Sequence, residues 1–140
     1  MICTFFGHRD APPEIKAVLR EVLADLIENQ GVNRFYVGNH GNFDAAARSL
    51  LAEFECTHAI QYDVVLAYVP DHTDPFFETY HTILPEGIET VPRRFAIDHR
   101  NQWLVEHCDI AITYVVSPAG GAAKFRDLAR RKNKTIIELS

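Results

Sequence analysis

Phe35-Tyr36-Val37-Gly38-Asn39-His40-Gly41-Asn42-Phe43-Asp44 is the stretch that decides the fold. Its apolar start reads as the end of a buried strand, its glycines as a hinge, and its last residues as the first turn of a helix. Gly38 and Gly41 carry no side chain, so the backbone can turn sharply and a ligand can approach it closely. The helix that follows would aim free N–H groups and its positive dipole end at that ligand, and an anion is the natural guest. A turn built only for packing is the alternative.

Working outward, Val32 to Val37 is the strand that delivers the chain to this turn. Phe43, Ala46, Ala47, Leu50, Leu51 and Phe54 then recur at helical spacing, with Asp44 in the first turn and Asn42 as a candidate cap. Upstream, Ile2 to Phe6 is a short run of β-formers ended by Gly7-His8-Arg9. Pro12 and Pro13 suit a first helical turn, and Ile15, Val18, Leu19, Val22, Leu23, Leu26 and Ile27 mark one helix face, stopped at Gly31. Downstream, Tyr62 to Val69 is a third strand closed by Pro70. From there to Ile97 no clean period survives, so residues 70–97 read as a long loop or lid, with short helical pieces around Pro75 to Tyr80 and Val91 to Ile97. Asp98 caps a helix through Trp103, Leu104 and Val105, and Ile110 to Val116 is a fourth strand. Ser117-Pro118-Ala119-Gly120-Gly121 is a second glycine turn, followed by a helix through Ala122, Phe125, Leu128 and Ala129 and a last strand, Lys134 to Leu139.

Strands alternating with helices predict one α/β domain over residues 1–140, a Rossmann-like three-layer sandwich with a mostly parallel five-stranded sheet and helices on both faces. In such sheets ligands sit beyond the carboxyl ends of the strands, where strand order reverses. The segments at Gly7, Gly38 and Gly120 all follow strands, so they are expected to share one rim.

Composition narrows the chemistry. The net charge is −5, which speaks against generic attraction to nucleic acid or anionic membrane. No apolar run approaches a membrane span and no secretory leader is visible. Cys3, Cys56 and Cys108 form no Cys-x-x-Cys pair, so a reduced, cytoplasmic setting is expected. The seven histidines offer no helical metal-ligand spacing, and no metal is assigned; His72, Asp74 and His81 share the excursion as a remote candidate.

Arg9, at the end of the first strand, can hold a phosphate or carboxylate through two parallel hydrogen bonds, or pair with a loop carboxylate. His8 either donates to a ligand or packs and caps the neighbouring loop. Asn39, His40 and Asn42 offer neutral polar contacts. Asp44 either accepts from ribose hydroxyls or caps its helix. Arg100, next to Asn101, is a second anion clamp or an exposed helix residue. The cluster Arg126, Arg130, Arg131, Lys132 and Lys134 reads as a solvated helix end, with nucleic-acid binding as the alternative.

Together, Thr4-Phe5-Phe6-Gly7-His8-Arg9, the Val37 to Asp44 stretch, Leu84-Pro85-Glu86-Gly87-Ile88-Glu89, Arg100-Asn101 and Gly120-Gly121-Ala122-Ala123 resemble, in order, the YpsA-like members of the SLOG superfamily. That superfamily takes in DprA-type DNA-processing proteins and the LOG phosphoribohydrolases. The resemblance runs over essentially the whole chain. It implies a Rossmann-like sheet and a pocket for a nucleotide or a nucleotide-derived, ADP-ribose-like ligand, with Gly7, His8, Arg9, Gly38, Asn39, Gly41, Asn42, Phe43, Asp44, Arg100, Asn101, Gly120 and Gly121 around it and no obligatory cofactor. LOG enzymes cleave the bond between base and ribose 5′-monophosphate with an arginine and a glutamate of a Pro-Gly-Gly-x-Gly-Thr-x-x-Glu motif. Here Ala123 and Lys124 replace the Gly-Thr, proline is displaced to Pro118, and Asp127 falls at the glutamate's offset. The resemblance therefore implies a sensor-like binding module first, and a phosphoribohydrolase with Arg100 and Asp127 as its catalytic pair second. DprA-like single-strand DNA binding comes third. A homodimer through the alanine-rich helix Ala45 to Ala52 is a further expectation.

Overall fold

The computed structural model describes residues 1–70 and 79–139. Among the described residues the chain forms one six-stranded, all-parallel sheet between two pairs of helices. In chain order the elements are β1 (Ile2–Gly7), α1 (Ile15–Glu28), β2 (Arg34–Val37), α2 (Gly41–Glu55), β3 (Gln61–Val65), β4 (Thr82–Ile83), α3 (Ala96–His107), β5 (Ile110–Tyr114), α4 (Gly121–Arg131) and β6 (Thr135–Glu138).

Side-chain alternation along the strands makes the two layers. Cys3, Phe5, Phe35, Val37, Ile110 and Ile112 face one way and meet Leu19, Leu23 and Leu26 of α1 and Leu50, Leu51 and Phe54 of α2. Phe6, Tyr36, Val65 and Ala111 face the other way and meet Leu104 and Val105 of α3 and Phe125 and Ala129 of α4. Thr4 is fully buried in β1, and its hydroxyl donates to the Tyr36 carbonyl at 2.8 Å.

The sheet has six strands where sequence led us to expect five. The extra one, β4, comes from the 70–97 excursion and lies at the edge beside β3, with Val64 opposite Thr82 and Val65 opposite Ile83. A two-residue strand has no period to read. Over its described length the excursion also holds two 3₁₀ turns, Ile88–Thr90 and Arg93–Phe95, the second within the helical piece expected at Val91 to Ile97. Residues 75–78 of the helical piece expected at Pro75 to Tyr80, and His72 and Asp74, lie outside the described residues. Two strands end earlier than expected, β3 at Val65 and β5 at Tyr114. The helix expected to be capped by Asp98 starts at Ala96.

Strand order is β4-β3-β2-β1-β5-β6. The chain steps outward from β1 through β4, then returns to place β5 on the other side of β1. Gly7 at the end of β1 sits opposite Tyr114 at the end of β5. That reversal point is where open parallel sheets hold ligands. Among the described residues no helix is long and apolar enough to cross a membrane.

Candidate functional site

A cavity of about 490 Å³ opens over the ends of β1 and β5. That volume suits a nucleotide-sized guest. Of the residues singled out in sequence, Gly7, His8, Arg9, His40, Asp44, Arg100, Asn101 and Gly121 line it, and Asp10 and Ala122 join them. Gly38, Asn39, Gly41, Asn42, Phe43 and Gly120 are not part of this lining.

Arg100 forms the floor. It is 2% exposed, so the exposed-helix alternative does not hold. Its Nε donates to Asn101 Oδ1 at 2.7 Å, and one terminal nitrogen, Nη1, donates to the Val65 carbonyl at 3.1 Å and Asn39 Oδ1 at 3.5 Å. Among the described residues its Nη2 makes no hydrogen bond. Asn39 and Asn101 therefore aim the guanidinium. Burial disfavours its charge, and the neighbouring Asp44 offsets part of that cost.

Asp44 is the other buried charge, 8% exposed. Its Oδ2 accepts from the His40 backbone N–H at 3.1 Å, reaching back across the first turn of α2. Desolvation raises its pKa above the ordinary carboxylate value, against the pull of Arg100, the His40 amide and Arg48. Asp44 and Arg100 interact electrostatically without the N···O contact of a salt bridge.

His40 lies between them and the aromatic Tyr68, whose ring it meets edge-on at 5.6 Å. Burial, helped by the charges of Arg100, Arg9 and Arg48, lowers its pKa to about 4, so it is neutral at physiological pH. Among the described residues its Nδ1 is a buried polar atom without a partner.

The two glycine turns differ in what they offer. A Cβ on Gly38 would fall 2.6 Å from Asp44 Oδ2 and 2.7 Å from Arg100 Nη1. Gly41 has φ +90°, and a Cβ there would lie 2.5 Å from the Arg9 Cα. A Cβ on Gly7 would overlap the Phe43 ring. These glycines make room for protein atoms. The α2 amides are also partly used: Asn42 N–H donates to the Arg9 carbonyl at 2.8 Å, and the Asn42 side chain donates to the Ala11 carbonyl instead of capping the helix. At the second turn, Gly120 and Gly121 have open space where a Cβ would stand. No side chain caps α4, and among the described residues the N–H groups of Gly121, Ala122 and Ala123 make no hydrogen bond. This is the open helix N-terminus on the rim.

Arg9 is exposed, and its guanidinium has no partner among the described residues. His8 adopts the loop-capping role: its Nε2 accepts from the amides of Val116 at 2.8 Å and Ser117 at 3.3 Å.

Asp127 is not part of the cavity. It pairs with Arg126 at 3.0 Å and Arg130 at 3.8 Å, and Glu138 takes the other contacts of those two arginines. It lies six residues beyond Gly121, about 9 Å further along the helix. The structure thus separates it from Arg100, and the basic cluster is partly neutralised by Asp127 and Glu138. Among the described residues no group of acidic, His and Cys side chains could hold a metal. His40 was singled out in sequence only for a neutral polar contact; Asp10 carried no signal of its own, and Ala122 was signalled by the glycines before it.

No protein-family model and no curated protein matches this chain.

Proposed function

We propose that this protein is a SLOG-type binding module for a nucleotide or other ribose-phosphate ligand, acting as a sensor. The observation that supports it is the convergence, at the sheet's reversal point, of a free Arg9 guanidinium, the buried Arg100 and the uncapped N-terminus of α4 around one cavity. The phosphate would sit between Arg9 and the amides of Gly121 and Ala122. Asp44 offers an acceptor to sugar hydroxyls from the floor. Three free cysteines are compatible with a cytoplasmic setting. The LOG-like hydrolase reading lacks its second residue at the cavity, because Asp127 is engaged elsewhere.

A panel of nucleotides tested for melting-point shifts checks the reading, since a ligand that binds only the folded state stabilises it. Arg9→Ala is expected to abolish the shift while leaving the unliganded melting point within about 2 °C, as for an exposed, unpaired side chain. An undiminished shift in that variant removes Arg9 from the site.

Gly121→Ala is a sharper probe. Its Cβ meets nothing in the protein and alanine favours the helix, so stability is expected to stay level or rise by about 0.5–1 kcal/mol. The same methyl would stand where a phosphate approaches the amides, so nucleotide affinity is expected to fall about tenfold or more. Retained affinity by titration calorimetry would put the phosphate elsewhere.

A further inference from the structure

His8 ties two strands' ends together in a way that depends on its protonation state. It stands just past β1, meets Tyr114 at the end of β5 edge-on at 5.9 Å, and its backbone N–H donates to the Tyr114 carbonyl at 3.3 Å. Its Nε2 is the acceptor for both the Val116 and Ser117 amides. These begin the exposed segment that runs to Gly120 and the open end of α4. Among the described residues, the segment's other fastenings are a 3.4 Å contact from the Ala119 amide to the Ser117 hydroxyl and, at its far end, the Lys124 N–H to the Gly120 carbonyl at 3.2 Å. A neutral imidazole can accept at one nitrogen; an imidazolium cannot accept at either.

We propose that His8 is a pH-responsive latch on this loop, closed when neutral and released when protonated, and that it thereby regulates the anion site. The consequence for ligand rests on the binding reading above; the latch itself does not. On protonation, an N–H would face two N–H donors, so two hydrogen bonds become two repulsive contacts. Among the described residues, the charged and titratable groups around His8 are Arg9 and Asp10 on its own segment, Tyr114 from β5, and His40, Asp44 and Arg100 across the cavity; the loop's hydrogen bonds to it come from the Val116 and Ser117 amides. An imidazolium would also attract the ligand's phosphate, but across a solvent-open cavity that attraction is screened. Loss of the loop acts directly on the amides that hold the anion.

Amide hydrogen exchange tests the latch without any ligand. Protection factors, corrected for intrinsic rates, are read for Val116 and Ser117 at pH 7.5 and 5.5, the range in which imidazoles ordinarily titrate. About a tenfold loss of protection at the lower pH is expected in the wild type. His8→Gln places an amide oxygen near the position of Nε2 and does not titrate, so its protection is expected to stay constant. Unchanged wild-type protection, or an equal loss in H8Q, overturns the proposal. Should H8Q fold poorly, the wild type alone decides: the His8 ring nitrogens and the two amides must titrate with a common midpoint by nitrogen NMR, and separate midpoints overturn the latch. In a second arm AMP serves as the probe, with H8Q correcting for the probe's own ionisation. Wild-type affinity is expected to fall about tenfold more than that of H8Q between the two pH values. Affinity that rises instead refutes the regulatory role. Absence of AMP binding to either protein at pH 7.5, with exchange behaving as expected, counts against AMP as ligand of this site and leaves the latch standing.

Discussion

Arg100→Met is expected to lower the unfolding free energy by about 3–5 kcal/mol at pH 7, the scale for removing one partner of a buried charge pair. Methionine retains much of the side chain's bulk, so the cost is chiefly electrostatic: Asp44 stays buried and loses its cation. The Val65 carbonyl and Asn39 lose a donor as well. The double variant Arg100→Met/Asp44→Asn is expected to recover half or more of the loss, because neither charge is then buried. The pH dependence follows from the directions of two shifts. Asp44 already binds its proton more tightly folded than unfolded, and Arg100 opposes this. Without Arg100 its folded pKa rises further, so stability is regained as pH falls through that value toward the ordinary 3.8. His40 acts in the same sense. Arg100 helps hold its folded pKa down near 4, so wild-type stability is lost as pH falls below 6.5. With the arginine gone, less is lost. The gap between variant and wild type should therefore narrow from pH 7 to pH 5 in urea unfolding curves. A single-variant cost under about 1 kcal/mol, or a double variant equal to the sum of its parts, would show that the two charges are not coupled.

The layered α/β fold was legible because its signals are local. Apolar runs of four to six residues and helical spacing set β1, β2, β5 and the four described helices close to where they stand. The common rim was legible too, since parallel strands joined by crossovers must all end on one side. What was hidden is long-range. Gly38 and Gly41 read as places for a ligand's close approach, yet the space beside them is filled by the nearby Asp44 and by Arg100 and the Arg9 backbone, which come from segments far apart in the chain. The burial of Arg100 did leave a trace: Ala96, Arg100 and Leu104 fall on one helix face, and all three are buried. A charged residue on an otherwise apolar stripe is a signal for a built-in electrostatic site. For Asp127 a motif offset gives a residue's position along a helix but not its distance from the rim, and the cavity lining does not include it.

Gly38→Ala joins these points in one substitution. The added methyl would meet Asp44 Oδ2 at 2.6 Å and Arg100 Nη1 at 2.7 Å, both below ordinary contact. Neither neighbour is free to yield. Asp44 is held by the His40 amide, and Arg100 by Val65, Asn39 and Asn101. Gly38 itself is buried, and its carbonyl accepts from Arg48 at 3.0 Å, which limits backbone retreat. Overpacking a tight core costs about 1–3 kcal/mol, and here the displaced groups are charged, so the upper part of that range is expected. The backbone conformation adds no penalty, because Gly38 is not among the glycines of positive φ. That separates it from Gly41→Ala, where a φ of +90° adds strain to the clash with Arg9. If the clash is relieved by pushing Arg100 toward the cavity, nucleotide-induced stabilisation is lost together with stability. Gly121→Ala, by contrast, should lose binding alone. Melting curves with and without nucleotide for the two variants distinguish a glycine kept for internal packing from one kept for the ligand. Wild-type stability in Gly38→Ala would mean that Asp44 and Arg100 are not fixed where the structure places them.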